Sequence, residues 1–162
     1  MTKDRSPELL TQGLAELTQA RQHLDFSFGQ IAGWPEAMRN ATPDQLANAE
    51  AFTSRFARAV DLLVNKVLRS MGRVELEPEG TVLDLINRAE KRGFVEQASI
   101  LREMKEVRNM IAHDYAGARM AEVLEYCRTQ KPIIDAICNR VTAYAGRLLG
   151  EQTSQRAGQG SD

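Results

Sequence analysis

Residues 42–72, TPDQLANAEAFTSRFARAVDLLVNKVLRSMG, carry Leu46, Ala49, Phe52, Phe56, Val60, Leu63, Val67 and Met71 at steps of three and four. That spacing lines the apolar side chains along one face of an α-helix, and it is the longest clean stripe in the chain. Arg55, Arg58, Lys66 and Arg69 fall on the opposite face. Thr42 and Gln45 are spaced as a capping box, and Gly72 stands where a C-terminal cap would end the helix. So long a helix with one apolar face has to bury it against other helices.

Working outward, the same period recurs on both sides. Upstream, Ser6-Pro7-Glu8 reads as a helix start with Ser6 as the cap, followed by Leu10, Leu14, Leu17, Leu24, Phe28 and Ile31. Gly33-Trp34-Pro35 ends that helix, with Trp34 read as a loop anchor on the core. Downstream, RVELEPEG (residues 73–80) is a loop, and Thr81 caps a short helix bearing Val82, Leu85, Ile86 and Ala89 that stops near Gly93. A fourth helix starts around Val95, holds Ile100, Leu101, Met104, Val107 and Ile111, and ends near His113. The last begins around Ala118 and carries Val123, Leu124, Cys127, Ile134, Ile137, Val141, Tyr144 and Leu148, with a kink expected at Pro132. No run alternates as a strand would, and there is no internal repeat or Gly-rich phosphate loop. The expectation is an all-α, up-and-down bundle of about five helices, two of them long. Residues 1–149 form its single domain, and the polar tail 150–162 is disordered.

The bulk composition narrows the function classes. The chain has 162 residues, enough for one helical core without metal or disulfide staples. It is 43% hydrophobic and 27% charged with net charge −1, which is not the balance of a dedicated nucleic-acid binder, although a local basic patch remains compatible with it. Cys127 and Cys138 lie in one helix, about 16 Å apart at 1.5 Å per residue, too far for a disulfide. They read as free thiols filling the core. No Cys/His cluster has metal-ligand spacing, so neither metal nor cofactor is expected. No segment approaches the roughly 18 apolar residues of a membrane span, and the expectation is a cytoplasmic protein without membrane association. His23, without partners nearby in sequence, reads as a surface residue.

One stretch does not read as ordinary helix: RNMIAHDY, residues 108–115. Asn109 and His113 are four apart and share a face, with Arg108 on an adjacent face of the same turn. His113 can take or give a proton near neutral pH, and the planar fork of Arg108 matches phosphate oxygens. A proton shuttle beside a phosphate clamp is what metal-free RNA cleavage requires. Arg and His near a helix C-terminus also cap carbonyls and favour the helix dipole, so the residue types by themselves fit both roles. Asp114 reads as a solvent-facing turn residue. Asp61, among Val60, Leu62 and Leu63, either orients a catalytic group or faces solvent.

The pattern Arg108-Asn109, three residues, His113, one residue, Tyr115 resembles the Arg-x4-His-x-Tyr signature of the HEPN superfamily. More narrowly, it resembles the HepT-like toxins encoded beside a minimal nucleotidyltransferase. FARAVDLLVNKVLRSMG (residues 56–72) resembles that family's second long helix, with Asp61 where the family carries an acidic residue. TVLDLINRAEKRGFV (residues 81–95), followed by RNMIAHDY, repeats its order of elements, and the resemblance spans roughly residues 45 to 145. It implies a metal-independent endoribonuclease with Arg108 and His113 as the catalytic pair and Asn109 and Asp61 in support. Tyr115 would be the hydroxyl to which a nucleotidyltransferase antitoxin adds AMP, blocking the cleft with bulk and negative charge. It further implies a homodimer whose cleft joins two motifs, with Arg58, Arg102 and Lys105 enriching the RNA groove. The other role open to such a chain is that of a non-catalytic companion or substrate-binding subunit of the nucleotidyltransferase. Residues 1–44 are longer than a compact member needs, and are expected to serve partner or dimer contacts.

Overall fold

The computed structural model describes residues 3–34, 40–113 and 119–160, with His113 described by its backbone alone. Among these residues the fold is all-helical: α1 (Ser6–Ile31), α2 (Pro43–Asp61) continuing through a π-helical segment (Leu62–Leu68) into α3 (Arg69–Val74), then α4 (Val82–Lys91), α5 (Ala98–His113) and α6 (Met120–Gln159). Since α2, the π segment and α3 form one unbroken rod, the described residues make five rods, as the periodicity predicts.

The central rod 43–74 touches all the others. α1 runs antiparallel to it: Phe28 packs on Phe52, Arg55 reaches Ser27, and Lys66 reaches Glu16. α5 is also antiparallel to the rod: it follows Phe94, which packs edge-on to the Tyr144 ring bonded to Glu75 at the end of the rod, and by Lys105 and Arg108 it has come back to Asp61. α6 runs parallel to it, with Phe56 edge-on to Tyr126 and Glu75 accepting from the Tyr144 hydroxyl. Up-and-down connectivity follows from these pairings. The core is Phe52, Phe56, Leu63, Val67 and Met71 of the rod with Leu10, Leu17 and Leu24 of α1, Leu101 and Met104 of α5, and Ile134 and Val141 of α6. Cys127 and Cys138 are buried free thiols within it. Trp34 packs on its edge, and its carbonyl accepts from Arg128 at 3.1 Å.

The π segment has a reason in the sequence. Leu62, Leu63, Val64, Val67 and Leu68 are all buried. At about 100° per residue those five would spread over about 240° of an α-helix; closed by i→i+5 bonds at roughly 85° per residue, they span about 170° and face the neighbouring helices together.

Both capping boxes form, Thr42 with Gln45 and Thr81 with Asp84. α4 ends in a Schellman motif: Gly93 has φ +77°, Phe94 N–H donates to Ala89 O and Gly93 N–H to Glu90 O. Other termini differ from the sequence expectation. Ser6 does not cap α1; its own N–H is bound by Asp4 Oδ1 at 2.9 Å. Gly72 does not end its helix, which continues to Val74 and closes with the same motif, Glu77 N–H to Gly72 O, around Leu76 at φ +58°. A leucine occupies the left-handed position that glycine usually fills, in a loop held by two separate ion pairs, Arg73 with Glu79 and Arg92 with Glu77. α5 starts at Ala98 rather than Val95, where Glu90 of α4 accepts the Ala98 N–H.

Residues 150–159, expected to be disordered, continue α6. Its Leu149, Gln152, Thr153 and Arg156 run alongside Pro7, Glu8 and Thr11 at the start of α1, so the polar tail gains a neighbour that composition does not reveal. α6 also passes through Pro132 as one helix. Residues 35–39 of the α1–α2 connection lie outside the described residues. Among the described residues no helix is long and apolar enough to cross a membrane.

Candidate active site

Ser54, Ala57, Arg58, Asp61 and Asn65 recur at steps of three and four along α2 and into the π segment, on a face of the rod beside its apolar stripe. α5 crosses this face with Arg108, Ile111 and Ala112. Between them lies an open groove of about 450 Å³, lined also by Leu62 and Lys66.

Asp61 organises the groove wall. Its Oδ2 accepts from Arg108 Nε at 2.6 Å and its Oδ1 from Lys105 Nζ at 2.9 Å. Lys105 and Arg108 are three apart and share a face of α5, so one carboxylate on the facing helix can reach both. The Lys105 side chain is 13% exposed, against 33% for Arg108 and 28% for Asp61. These are shielded, charge-assisted bonds rather than surface pairs. Arg108 NH1 also donates to Asn109 Oδ1 at 3.2 Å. The third guanidinium nitrogen, NH2, makes no hydrogen bond among the described residues. Of the two meanings the sequence left open for Asp61, its geometry is that of the residue holding Arg108.

The remaining cations are arranged unequally. Arg58 is exposed, lines the groove, and makes no ion pair or hydrogen bond among the described residues. Lys66 donates to both oxygens of Glu16, at 2.7 and 2.9 Å, and this bond holds the Glu16 carboxyl below its ordinary value. Lys105 is committed to Asp61 and does not line the groove, and neither does Arg102, which is exposed about 240° around α5 from Arg108. His113 closes α5, about 7.5 Å further along the axis than Arg108. Asp114 and Tyr115 lie outside the described residues. The groove thus brings together Arg58, Asp61, Arg108 and, through Arg108, Asn109.

Sequence reasoning missed Ser54, Asn65 and Lys66 as lining residues and Glu16 as the partner of Lys66. The signal was available: a second periodic stripe of small and polar residues, Ser54-Ala57-Arg58-Asp61-Asn65, runs beside the apolar one. The cysteines offer no alternative nucleophile. Burial pushes the Cys138 thiol up to about 12 and Cys127 higher still, so neither forms a thiolate near neutral pH. Exposed His23 has no role at the groove. Among the described residues, no three of His, Cys, Asp and Glu converge as metal ligands.

Chemically, the groove offers a guanidinium fixed at one nitrogen and open at another, beside a second free guanidinium, on a helix whose last residue is a histidine. Comparisons with family models, with curated proteins and with solved structures gave no match to this chain, and its resemblance to the HEPN superfamily stands on the motif and helix order of its sequence.

Proposed function

We propose that this chain is the toxin of a toxin–antitoxin pair, a metal-independent endoribonuclease that works at the α2–α5 groove. What most supports it is the setting of Arg108: anchored at Nε by Asp61, its NH2 without a bond among the described residues, and lining a groove with Arg58, on the helix that ends at His113. Two guanidinium groups along an open groove suit a polyanion better than a single small anion.

In the reaction proposed, His113 takes the proton of a ribose 2′-OH, and the oxygen attacks the adjacent phosphorus. The P–O5′ bond breaks, and the departing oxygen takes the proton that His113 carries, leaving a 2′,3′-cyclic phosphate, a 5′-hydroxyl and a neutral imidazole. Arg108 stabilises the charge that builds on the non-bridging oxygens. Asp61 holds the guanidinium in place, and Asn109 shares in orienting it. A homodimer would bring two grooves to one RNA, and a nucleotidyltransferase antitoxin would silence the site by adding AMP to Tyr115.

The decisive experiment is cleavage of a fluorogenic oligoribonucleotide by the purified chain. Arg108→Ala and His113→Ala each lower the rate by at least about a hundredfold, the scale of losing a general base or a charge stabiliser. Far-UV circular dichroism stays unchanged, because Asp61 keeps Lys105 as a partner. Cleavage retained in either variant refutes the assignment. One observation favours the second reading, a non-catalytic subunit of a nucleotidyltransferase: Nε and NH1 of Arg108 are already engaged within the chain. Harmless accumulation of the chain expressed alone would decide for it.

A further inference from the structure

We propose that Lys105 is a positioning residue that tunes Arg108 through Asp61, acting from behind the groove without touching the bound anion. This rests on the reading that the groove takes a phosphodiester.

A guanidinium grips a phosphate best through two adjacent nitrogens. Arg108 has two such edges, Nε–NH2 and NH1–NH2, and each is half occupied, the first by Asp61 at 2.6 Å and the second by Asn109 at 3.2 Å. The Asn109 bond is longer, is made to a neutral acceptor, and belongs to an exposed side chain, so it yields first. The edge presented to an anion is therefore NH1–NH2, with the Asp61 bond at Nε kept as the orienting contact. That arrangement carries a difficulty, because a carboxylate lining the groove repels the phosphate that Arg108 is meant to attract.

Lys105 resolves it. Its ammonium binds the other Asp61 oxygen at 2.9 Å, leaving the trio with two positive charges and one negative. Being 13% exposed and absent from the groove lining, Lys105 is placed to neutralise Asp61 and not to grip an anion. Without it, the whole Asp61 charge falls on Arg108: the pair becomes neutral overall, and the grip on Nε tightens. The groove keeps its geometry and loses attraction.

The two partners of Asp61 should therefore separate binding from turnover. Lys105→Gln weakens binding of a fluorescein-labelled 2′-O-methyl oligouridine, which lacks the attacking hydroxyl, by about threefold to tenfold, while kcat on a cleavable oligoribonucleotide holds within about twofold. Asp61→Asn, near in shape and uncharged, binds the same probe at least as tightly as wild type, yet loses kcat about tenfold or more because the charge-assisted bond that orients Arg108 at Nε becomes a weaker bond to a neutral amide. In the Asp61→Asn background, Lys105→Gln costs clearly less binding than it does in wild type, since the part of its effect that runs through the Asp61 bond is gone.

The controls keep the two ideas apart. No binding by the wild-type chain, or unchanged binding by Arg108→Ala, overturns both the groove assignment and the relay. Binding that depends on Arg108, with a Lys105→Gln loss equally large in both backgrounds, overturns the relay alone and makes Lys105 a direct contact. Weaker binding by Asp61→Asn also overturns the relay. Should Asp61→Asn fold poorly, the kcat-against-KM split of Lys105→Gln decides by itself, and a fall in kcat matching the fall in affinity refutes the proposal.

Discussion

Replacing Asp135 of α6 tests how α1 and α6 are clamped together. Lys131 is buried, its side chain 6% exposed, with the ammonium 5.3 Å above the Phe28 ring and hydrogen-bonded to Asp25 Oδ1 at 2.6 Å and to Asp135 Oδ2. Asp135 also accepts from Arg21 at 3.4 Å. Asp135→Ala removes one of the two carboxylates serving a buried ammonium. A wholly unpaired buried charge costs about 3–5 kcal/mol. Asp25 remains, but it is 62% exposed and well hydrated, so the expected loss is about 2 kcal/mol. Lys131→Met removes the buried charge itself and leaves Asp135 with Arg21 and Asp25 in water, for a loss under about 1 kcal/mol. At a urea dependence of about 2 kcal/mol per molar, the first variant lowers the unfolding midpoint by about 1 M and the second by less than half of that. Urea titration followed by circular dichroism reads both. The pH dependence supplies a sign. Burial pulls Lys131 down, but its bonds to Asp135 and Asp25 more than offset this, and the ammonium is held above its ordinary value. A folded pKa above the unfolded value of about 10.4 means that the contribution is complete below that pH and is lost as pH rises through the folded value. The gap between wild type and Asp135→Ala is therefore open at neutral pH and narrows above about pH 10.4. A Lys131→Met loss as large as that of Asp135→Ala, or a gap that widens in alkali, refutes the reasoning.

Two further tests address the loop before α4 and the proposed modification of Tyr115. A Cβ at Gly80 would lie 2.8 Å from Asp84 Cβ and 2.9 Å from Asp84 Oδ2, the oxygen that accepts from Thr81 N–H at 2.7 Å. Gly80→Ala therefore breaks the Thr81–Asp84 capping box, costing about 1–2 kcal/mol and lowering the melting temperature by several degrees in a thermal scan; an unchanged melting temperature would show that Asp84 can move without loss. If the proposed function holds, Tyr115→Phe co-expressed with the proposed nucleotidyltransferase antitoxin stays toxic and gains no nucleotidyl mass, whereas the wild-type chain gains one. An unmodified Tyr115 in a neutralised complex counts against AMP transfer.

Much of the bundle is legible in one dimension because helix amphipathicity and capping are local. Leu46 to Met71 repeat at the helical period, Thr42 and Thr81 sit three residues before their capping partners, and Gly93 alone supplies the left-handed residue that ends α4. Where a terminus depends on distant groups, local rules miss it. Leu76 takes the left-handed position in a loop held by two separate ion pairs, Arg73 with Glu79 and Arg92 with Glu77, and α5 begins where a glutamate of α4 meets Ala98 N–H. The tail 150–159 is polar enough to read as disordered, yet it lies along the first turns of α1, a neighbour 140 residues away in sequence.

The candidate site divides in the same way. The types and spacing of Arg108, Asn109, His113 and Tyr115, and the helix end on which they fall, are properties of eight consecutive residues, so the sequence by itself determined the motif and its chemical possibilities. It also determined the all-α class, since the apolar residues recur at helical spacing in every segment and no run alternates as a strand would. Only the tertiary structure decided which face of the central rod α5 crosses, and with it that Asp61 holds Arg108 and Lys105, that Lys66 is bound to Glu16, and that Arg58 remains unpaired among the described residues. Periodicity says which side of each helix is buried but not which helix covers it, and a charge acquires its role from the group that the neighbouring helix sets against it.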